Sequence, residues 1–129
     1  MIDHVSIEVR DLARARRFYD AALAPLGFAR RFDLDDASGY GEELAPPLKE
    51  QALPFWIGHA ERGAAANGHI CFAAPSRAAV DAFHSAALGA GGSDNGAPGL
   101  RPHYHASYYA AFIRDPDGNR IEAVRHRAE

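Results

Sequence analysis

The sequence predicts an α+β protein built from two similar βαβββ modules, with the helices on the outer face of the sheets. Three observations support this prediction. Two stretches of the chain repeat one another, each repeat passes from a strand pattern to a helix pattern, and a strong turn signal separates the last two predicted strands. We expect one domain over residues 1–129, with module 1 at about 1–62 and module 2 at about 66–129.

The repeat begins at His4 in the first half and at His69 in the second. HVSIEVRDLARARRFYDAALAPLG aligns with HICFAAPSRAAVDAFHSAALGAGG at a constant offset. The matched pairs include His4 with His69, Ile7 with Phe72, Phe18 with Phe83, Leu23 with Leu88, and Gly27 with Gly92. Internal repetition of this kind predicts two copies of one supersecondary unit.

Each copy opens with a strand. Apolar and polar residues alternate in HVSIEV, and His4 lies on the polar side. In the second copy, His69 and Cys71 alternate with Ile70 and Phe72. Because successive side chains of a strand point to opposite faces, both histidines are predicted to leave the apolar face.

A helix follows each of these strands. Asp11 and Ser76 are predicted N-caps, since their side-chain oxygens can accept backbone N–H bonds. Apolar residues then recur at helical spacing: Leu12, Ala15, Phe18, Tyr19, Ala22, Leu23 and Leu26 in the first helix, and Val80, Phe83, Ala87 and Leu88 in the second. These stripes should cover the apolar strand faces, which leaves the histidine faces pointing away from the helices.

The remaining elements are short. Strands are predicted near Phe28 to Phe32, Ser38 to Gly41, Leu53 to Ile57, Tyr108 to Ile113, and Arg120 to Val124. EELAPPLKEQ is predicted to be a loop or lid, and the stretch from Gly89 to Gly99 a glycine-rich link. Asp115-Pro116-Asp117-Gly118-Asn119 predicts a turn between the last two strands.

Composition excludes several classes of function. The net charge of -3 and the pI near 6.1 give no reason to expect nucleic acid or an anionic membrane as a partner. The single Cys71 rules out an internal disulfide. No apolar run approaches the length of a membrane span, and the start lacks a signal-peptide pattern, so we expect a cytoplasmic protein.

Glu122 is the most informative single residue. It lies in a predicted strand that enters the core, and a buried carboxylate is costly unless a partner or a cation neutralises it. With His4 and His69 it provides the residue types of a facial triad, which binds a divalent metal and leaves positions open for substrate or water. The alternative is that the histidines are hydrogen-bonded structural residues and the glutamate is solvated.

HVSIEVRDLARARRFYDAALAPLGF, NGHICF and FIRDPDGNRIEAV resemble the signature stretches of the vicinal oxygen chelate superfamily. That superfamily includes glyoxalases, bleomycin resistance proteins, fosfomycin resistance enzymes and extradiol dioxygenases. The resemblance implies a curved mixed sheet around a metal cup, a homodimer, and His4, His69 and Glu122 as metal ligands. It also implies a small-molecule substrate that chelates the metal through neighbouring oxygens.

One departure from the glyoxalase I pattern narrows the expected chemistry. Trp56 and Ile57 occupy the region where those enzymes carry a fourth ligand, and neither side chain can bind a metal. Dioxygenase-like chemistry on Fe2+ is therefore expected. The alternatives are a lyase, isomerase or epimerase on Zn2+, Mn2+ or Ni2+, and a non-catalytic ligand-binding protein of the bleomycin-resistance type.

RPHYHASYY supplies candidate catalytic groups just before a predicted strand. A histidine titrates near working pH, and a phenol can hydrogen-bond a substrate oxygen. The candidates are His103, Tyr104, His105 and Tyr109. The alternative is that they are rim residues that pack against a neighbouring segment or a dimer partner.

Overall fold

The structure, a computed structural model, describes residues 1–42, 53–60 and 68–129. Module 1 contains β1 (Val5–Val9), α1 (Leu12–Leu23), a 3-10 helix (Ala24–Leu26), β2 (Phe28–Asp33), β3 (Ala37–Glu42) and β4 (Phe55–His59). Module 2 contains β5 (His69–Ala73), α2 (Arg77–Gly89), β6 (Ser93–Leu100), β7 (Tyr109–Arg114) and β8 (Arg120–Arg125). The loop or lid predicted for EELAPPLKEQ lies, apart from Glu42, outside the described residues.

The two modules share one topology, which confirms the predicted fold class. Their strand orders are β1-β4-β3-β2 and β5-β8-β7-β6. In each sheet the first strand lies at an edge and runs parallel to the last strand, while the other neighbours are antiparallel. The described strands therefore form two four-stranded mixed sheets rather than a closed barrel.

The prediction of a glycine-rich link from Gly89 to Gly99 was wrong for most of its length, because β6 covers Ser93–Leu100. Glycine and proline have low β propensity, but β6 obtains its backbone hydrogen bonds from β7. Register shifts occur between Asp94 and Gly96 and between Gly96 and Gly99. Gly96 has a φ of 149°, which side chains disfavour, so the glycine pattern marks an irregular edge strand.

Both predicted helix caps are confirmed. The Asp11 side chain accepts a hydrogen bond from the Arg14 amide at 2.9 Å, and the Ser76 hydroxyl accepts one from the Ala79 amide at 3.0 Å. Each bond satisfies a donor that the first turn of a helix leaves without a partner. None of the helices in the described ranges is long and apolar enough to cross a membrane.

The two modules share one hydrophobic core. The helices α1 and α2 pack against each other, and buried side chains of both sheets join them. Phe55 and Phe72, from different sheets, have ring centroids 5.2 Å apart. Because the apolar faces of both sheets point into this core, their opposite faces point away from it. We call these opposite faces inner face 1, in module 1, and inner face 2, in module 2.

The turn between β7 and β8 also ties the modules together. Asp115 accepts hydrogen bonds from the backbone amides of Asp117 and Asn119 at 2.9 and 2.8 Å. It also accepts one from the phenol of Tyr19, in α1, at 2.6 Å. Asp117 in turn accepts a bond from the Arg10 amide at 3.1 Å. Two buried carboxylates in module 2 thus hold the start of module 1.

A substitution at Gly92, which aligns with Gly27 in the repeat, tests how closely the segment after α2 packs against α1. A Cβ at Gly92 would come within 2.7 Å of Phe18 Cε2 and 2.9 Å of the Ala87 carbonyl oxygen. Gly92→Ala should therefore lower the free energy of unfolding by about 1–3 kcal/mol. Gly89→Ala is the control, because nothing lies within 4 Å of its Cβ position. Urea unfolding measures both, and equal effects would contradict the close approach.

Candidate functional site

Glu122 and His69 lie together on inner face 2. Glu122 is in β8 with only 3% of its side chain exposed, whereas 45% of the His69 side chain is exposed. The strands β5 and β8 are parallel neighbours, with Cys71 beside Glu122. This pairing places His69 Nε2 2.9 Å from Glu122 Oε2. The structure thus brings together two of the three predicted metal ligands.

Two further groups hold the Glu122 carboxylate. The Tyr108 phenol donates a hydrogen bond to Oε1 at 2.6 Å, and the Cys71 thiol also hydrogen-bonds Glu122. Burial, followed by the hydrogen bond and the negative charge of Glu122, raises the pKa of Tyr108 above its ordinary value. Burial and then the charge of Glu122 raise the pKa of Cys71 to about 12. Both groups therefore keep their protons at neutral pH.

The 2.9 Å separation of the pair is that of a hydrogen bond and also suits two ligand atoms of one divalent cation. Ligand atoms bound at about 2.0–2.2 Å, with a right angle between the two bonds, lie about 3 Å apart. His69 Nε2 and Glu122 Oε2 are separated by 2.9 Å. A neutral imidazole and a carboxylate suit Fe2+, Zn2+ and Mn2+. Since Tyr108 engages Oε1, Oε2 is the oxygen that faces the histidine.

His4 lies elsewhere in the chain. Its side chain is 53% exposed, and its Nδ1 is 2.7 Å from Asp3 Oδ1. It lines a cleft of about 320 Å³ with Ser6, Ala37 and Trp56, on inner face 1. Within residues 1–42, 53–60 and 68–129, no group of three or more His, Cys, Asp or Glu side chains could hold a metal ion. A single chain therefore does not bring His4 to the His69 and Glu122 pair.

Trp56 occupies the place in module 1 that Glu122 occupies in module 2. Trp56 in β4 pairs with Ser6 in β1, whereas Glu122 in β8 pairs with Cys71 in β5. Ser6 and Cys71 are matched positions of the repeat. Of the two residues named from the sequence, Trp56 and Ile57, it is therefore Trp56 that is the structural counterpart of Glu122 in module 1.

The candidates from RPHYHASYY lie at two different places, three of them in the connection from β6 to β7 and the fourth on the helix side of the sheet. His103 and Tyr104 are exposed in the connection from β6 to β7, with ring centroids 4.3 Å apart. His105 lies in the same connection, and its Nε2 is 2.9 Å from Nδ1 of His126. Tyr109 points to the helix side, where its phenol donates a hydrogen bond to Asp81 of α2 at 2.7 Å. Tyr109 is therefore not brought to Glu122.

Tyr108, in the same RPHYHASYY stretch, is a functional candidate that was not among the residues selected from the sequence. Its ring contacts those of Tyr104, His105 and His126 at centroid distances of 4.9, 5.3 and 5.1 Å. The alternation of side chains along a strand could have identified Tyr108. Phe112 pairs with Glu122, and residue 108 lies an even number of residues from Phe112, so its side chain is expected on the same face as Glu122. Choosing Tyr109 instead selected the opposite face of the sheet.

A larger groove lies between the edge strands β1 and β5. Its volume is about 760 Å³, and most of its lining is apolar, including Val5, Phe28, Ile70 and Phe72. Neither His4 nor Glu122 lines it. This groove therefore does not coincide with the candidate metal ligands, and it is the chemistry of the side chains that identifies the candidate site.

Tyr108→Phe tests the hydrogen bond to Glu122. Removing the donor leaves a buried carboxylate oxygen less well satisfied, so the free energy of unfolding should fall by about 1–2 kcal/mol. Tyr109→Phe is the matched control, because it removes a phenol that bonds the exposed Asp81, and it should cost at most about 0.5 kcal/mol. Urea unfolding of both variants measures the difference, and equal losses would refute a special role for Tyr108.

Known proteins resemble this chain over nearly its full length. The model of the Glyoxalase/Bleomycin resistance protein/Dioxygenase superfamily matches residues 1–123. A glyoxalase/bleomycin resistance protein from Albidiferax ferrireducens T118 is 34% identical, with 98% of each chain covered and a TM-score of 0.79. No functionally curated protein matches the sequence at a significant level.

More distant structures share the fold. A glyoxalase/bleomycin resistance protein/dioxygenase family enzyme from Burkholderia phytofirmans PsJN has 18% identity, 98% coverage of each chain and a TM-score of 0.71. Glyoxalase I from Zea mays has 21% identity and a TM-score of 0.67, over 96% of this chain and 45% of that chain. With the family model and the close relative, these matches establish that the chain belongs to the Glyoxalase/Bleomycin resistance protein/Dioxygenase superfamily.

Proposed function

We propose that the protein is a metal-dependent enzyme whose site is completed in a homodimer. In this proposal, His69 and Glu122 of one chain and His4 of a second chain hold one divalent cation. The substrate is a small molecule that presents two neighbouring oxygens to the cation, and the chemistry is dioxygenase-like on Fe2+.

The 2.9 Å contact between His69 Nε2 and Glu122 Oε2 is the observation that carries the proposal. Glu122 is almost fully buried but lies on the face that points away from the core. A carboxylate in this position gains little from packing, and its burial is costly unless hydrogen bonds or a cation compensate. A structural role alone does not require an exposed histidine as its partner.

The arrangement of the two inner faces supports a second chain as the source of His4. Both inner faces point away from the shared core, and His4 and Glu122 line different surfaces. His4 immediately precedes β1 and His69 begins β5, and both strands are sheet edges. Inner face 1 of one copy can therefore cover inner face 2 of another, with Trp56 forming one wall.

The surrounding side chains have distinct tasks in this proposal. A bound divalent cation supplies Lewis-acid polarisation of the substrate oxygens, and Fe2+ also supplies redox chemistry. Glu122 provides the negative charge of the site, and Tyr108 fixes the orientation of its carboxylate. The 2.9 Å contact of His105 with His126 requires one ring to donate and the other to accept. His105 Nδ1 also accepts a hydrogen bond from the Ser107 amide at 3.1 Å, so His105 Nε2 donates to His126 Nδ1, and the two rings form a hydrogen-bonded wall beside Tyr108.

The alternative functions differ in which metal ion they use and in whether they need a metal ion at all. Trp56 in place of a fourth ligand favours a three-ligand site, as expected for a dioxygenase. A lyase, isomerase or epimerase on Zn2+, Mn2+ or Ni2+ would use the same three side chains. A bleomycin-resistance-type binding protein would need no metal, and the buried Glu122 beside His69 argues against it.

Metal titration of the purified protein tests the ligand set. The wild type should bind one divalent ion per chain. His4→Ala, His69→Ala and Glu122→Gln should each weaken the affinity by more than about 100-fold, beyond the loss that an outer-shell partner causes. His59→Ala is the control, because this exposed histidine ends β4 outside the proposed site.

Four outcomes would separate the alternatives. Oxygen uptake by the Fe2+ form with catechol supports the dioxygenase assignment, whereas binding of other metals without oxygen uptake supports the lyase or isomerase assignment. Wild-type affinity in His4→Ala would contradict the role of the second chain. Absence of divalent metal binding in the wild type would reject the enzyme proposal.

A further inference from the structure

Inner face 2 carries an excess of positive charge around Glu122. Phe112 pairs with Glu122 across β7 and β8, and Arg114 pairs with Arg120 two residues further along. Because alternate residues of a strand share a face, both arginines lie on the same side of the sheet as Glu122. A third arginine, Arg101, reaches this face from the connection after β6.

Arg101 is held in a defined position. Its guanidinium carbon lies 5.5 Å from the centroid of the Phe112 ring, within the range of a cation–π contact. Its terminal nitrogens donate hydrogen bonds to the carbonyl oxygens of Ala97 at 2.7 Å and Leu100 at 3.4 Å. The Phe112 ring is also 6.4 Å from the ring of His69. Arg101 and His69, a proposed metal ligand, thus both contact a single aromatic ring.

Two glycines of β6 make room for this arginine. A Cβ at Gly96 would lie 3.4 Å from one terminal nitrogen of Arg101, and a Cβ at Gly99 would lie 3.1 Å from the other. The second distance is closer than ordinary van der Waals contact. The glycine-rich sequence of β6 therefore leaves space for the guanidinium close to the strand.

The guanidinium has no acidic partner in the part of the chain that the structure describes. No carboxylate of those residues lies within 4.0 Å of it. An arginine side chain has five N–H donors in a planar fork, and the contacts with Ala97 and Leu100 leave several of them for another acceptor. Such a fork matches the two oxygens of a carboxylate.

We propose that Arg101 binds a carboxylate of the substrate, so that the substrate class is a vicinal oxygen chelator that also carries a carboxylate group. This inference rests on the proposed function, because the chelating oxygens are placed at His69 and Glu122. Phe112 and the two glycines hold the guanidinium on the same face as the proposed metal ligands, with the Phe112 ring in contact with both Arg101 and His69. Arg114 and Arg120 add to the positive potential that attracts an anion to this face.

Binding of three matched probes to the Zn2+-loaded protein tests the inference, since Zn2+ has no redox chemistry. The probes are catechol, 3,4-dihydroxybenzoate and the neutral 3,4-dihydroxybenzamide, measured by isothermal titration calorimetry. The wild type should prefer the benzoate to the other two by about tenfold or more, as one charge-assisted bidentate contact provides. Arg101→Gln should abolish this preference without changing the affinity for catechol by more than about twofold.

Two variants serve as controls, with folding checked by thermal unfolding. Arg101→Lys keeps the charge but not the fork, and should retain part of the preference. Arg77→Gln removes an arginine that lies 5.1 Å from the Tyr109 ring, on the helix side of the sheet, and should retain all of it. Loss of the preference in Arg120→Gln but not in Arg101→Gln would overturn the assignment to Arg101.

The outcomes distinguish this inference from the proposed function. If catechol binds but the benzoate is not preferred, or if Arg101→Gln leaves the preference intact, the carboxylate subsite is rejected and the metal site stands. If no probe binds with or without Zn2+, the proposed function is rejected, and the carboxylate subsite is rejected with it.

Discussion

The Asp115 carboxylate is the constraint on which the rest of the structure depends. It closes the turn between β7 and β8 by accepting hydrogen bonds from the backbone amides of Asp117 and Asn119. It also accepts a hydrogen bond from the phenol of Tyr19, in the other module. One buried charge thus sets the register of a hairpin and the position of α1. Glu122 follows this turn directly, so the same interaction fixes where the carboxylate of the candidate site enters inner face 2.

The two modules share a topology but differ in chemistry at one matched pair of positions. Glu122 lies beside Cys71, and Trp56 lies beside Ser6, the equivalent residue of module 1. Inner face 1 consequently carries a histidine and a large aromatic ring, while inner face 2 carries a histidine, a carboxylate and three arginines. In the proposed dimer, inner face 1 supplies a wall and the third ligand, and inner face 2 supplies the negative ligand and the positive surroundings.

The sequence predicted those parts of the fold that periodicity and repetition encode. The offset between His4 and His69 predicted the duplication, and strand parity predicted that both histidines and Glu122 leave the core side. The prediction failed for β6, because its glycines and proline give no strand pattern in the sequence. The strand is defined instead by its backbone hydrogen bonds to β7. The prediction also selected Tyr109 instead of Tyr108, since the loop before β7 has no repeat partner that sets the register. In the proposed dimer, the approach of His4 to the other two residues depends on packing between two chains, which no local pattern encodes.

The central claim, that one site takes ligands from two chains, is tested most directly with mixed dimers. Differently tagged His4→Ala and Glu122→Gln chains are coexpressed, and the mixed dimer is isolated and titrated with Zn2+. In the mixed dimer, the Glu122→Gln chain supplies His4, and the His4→Ala chain supplies His69 and Glu122. The account predicts one tight site per mixed dimer and none in either variant homodimer. A mixed dimer that binds Zn2+ no better than the variant homodimers would contradict it.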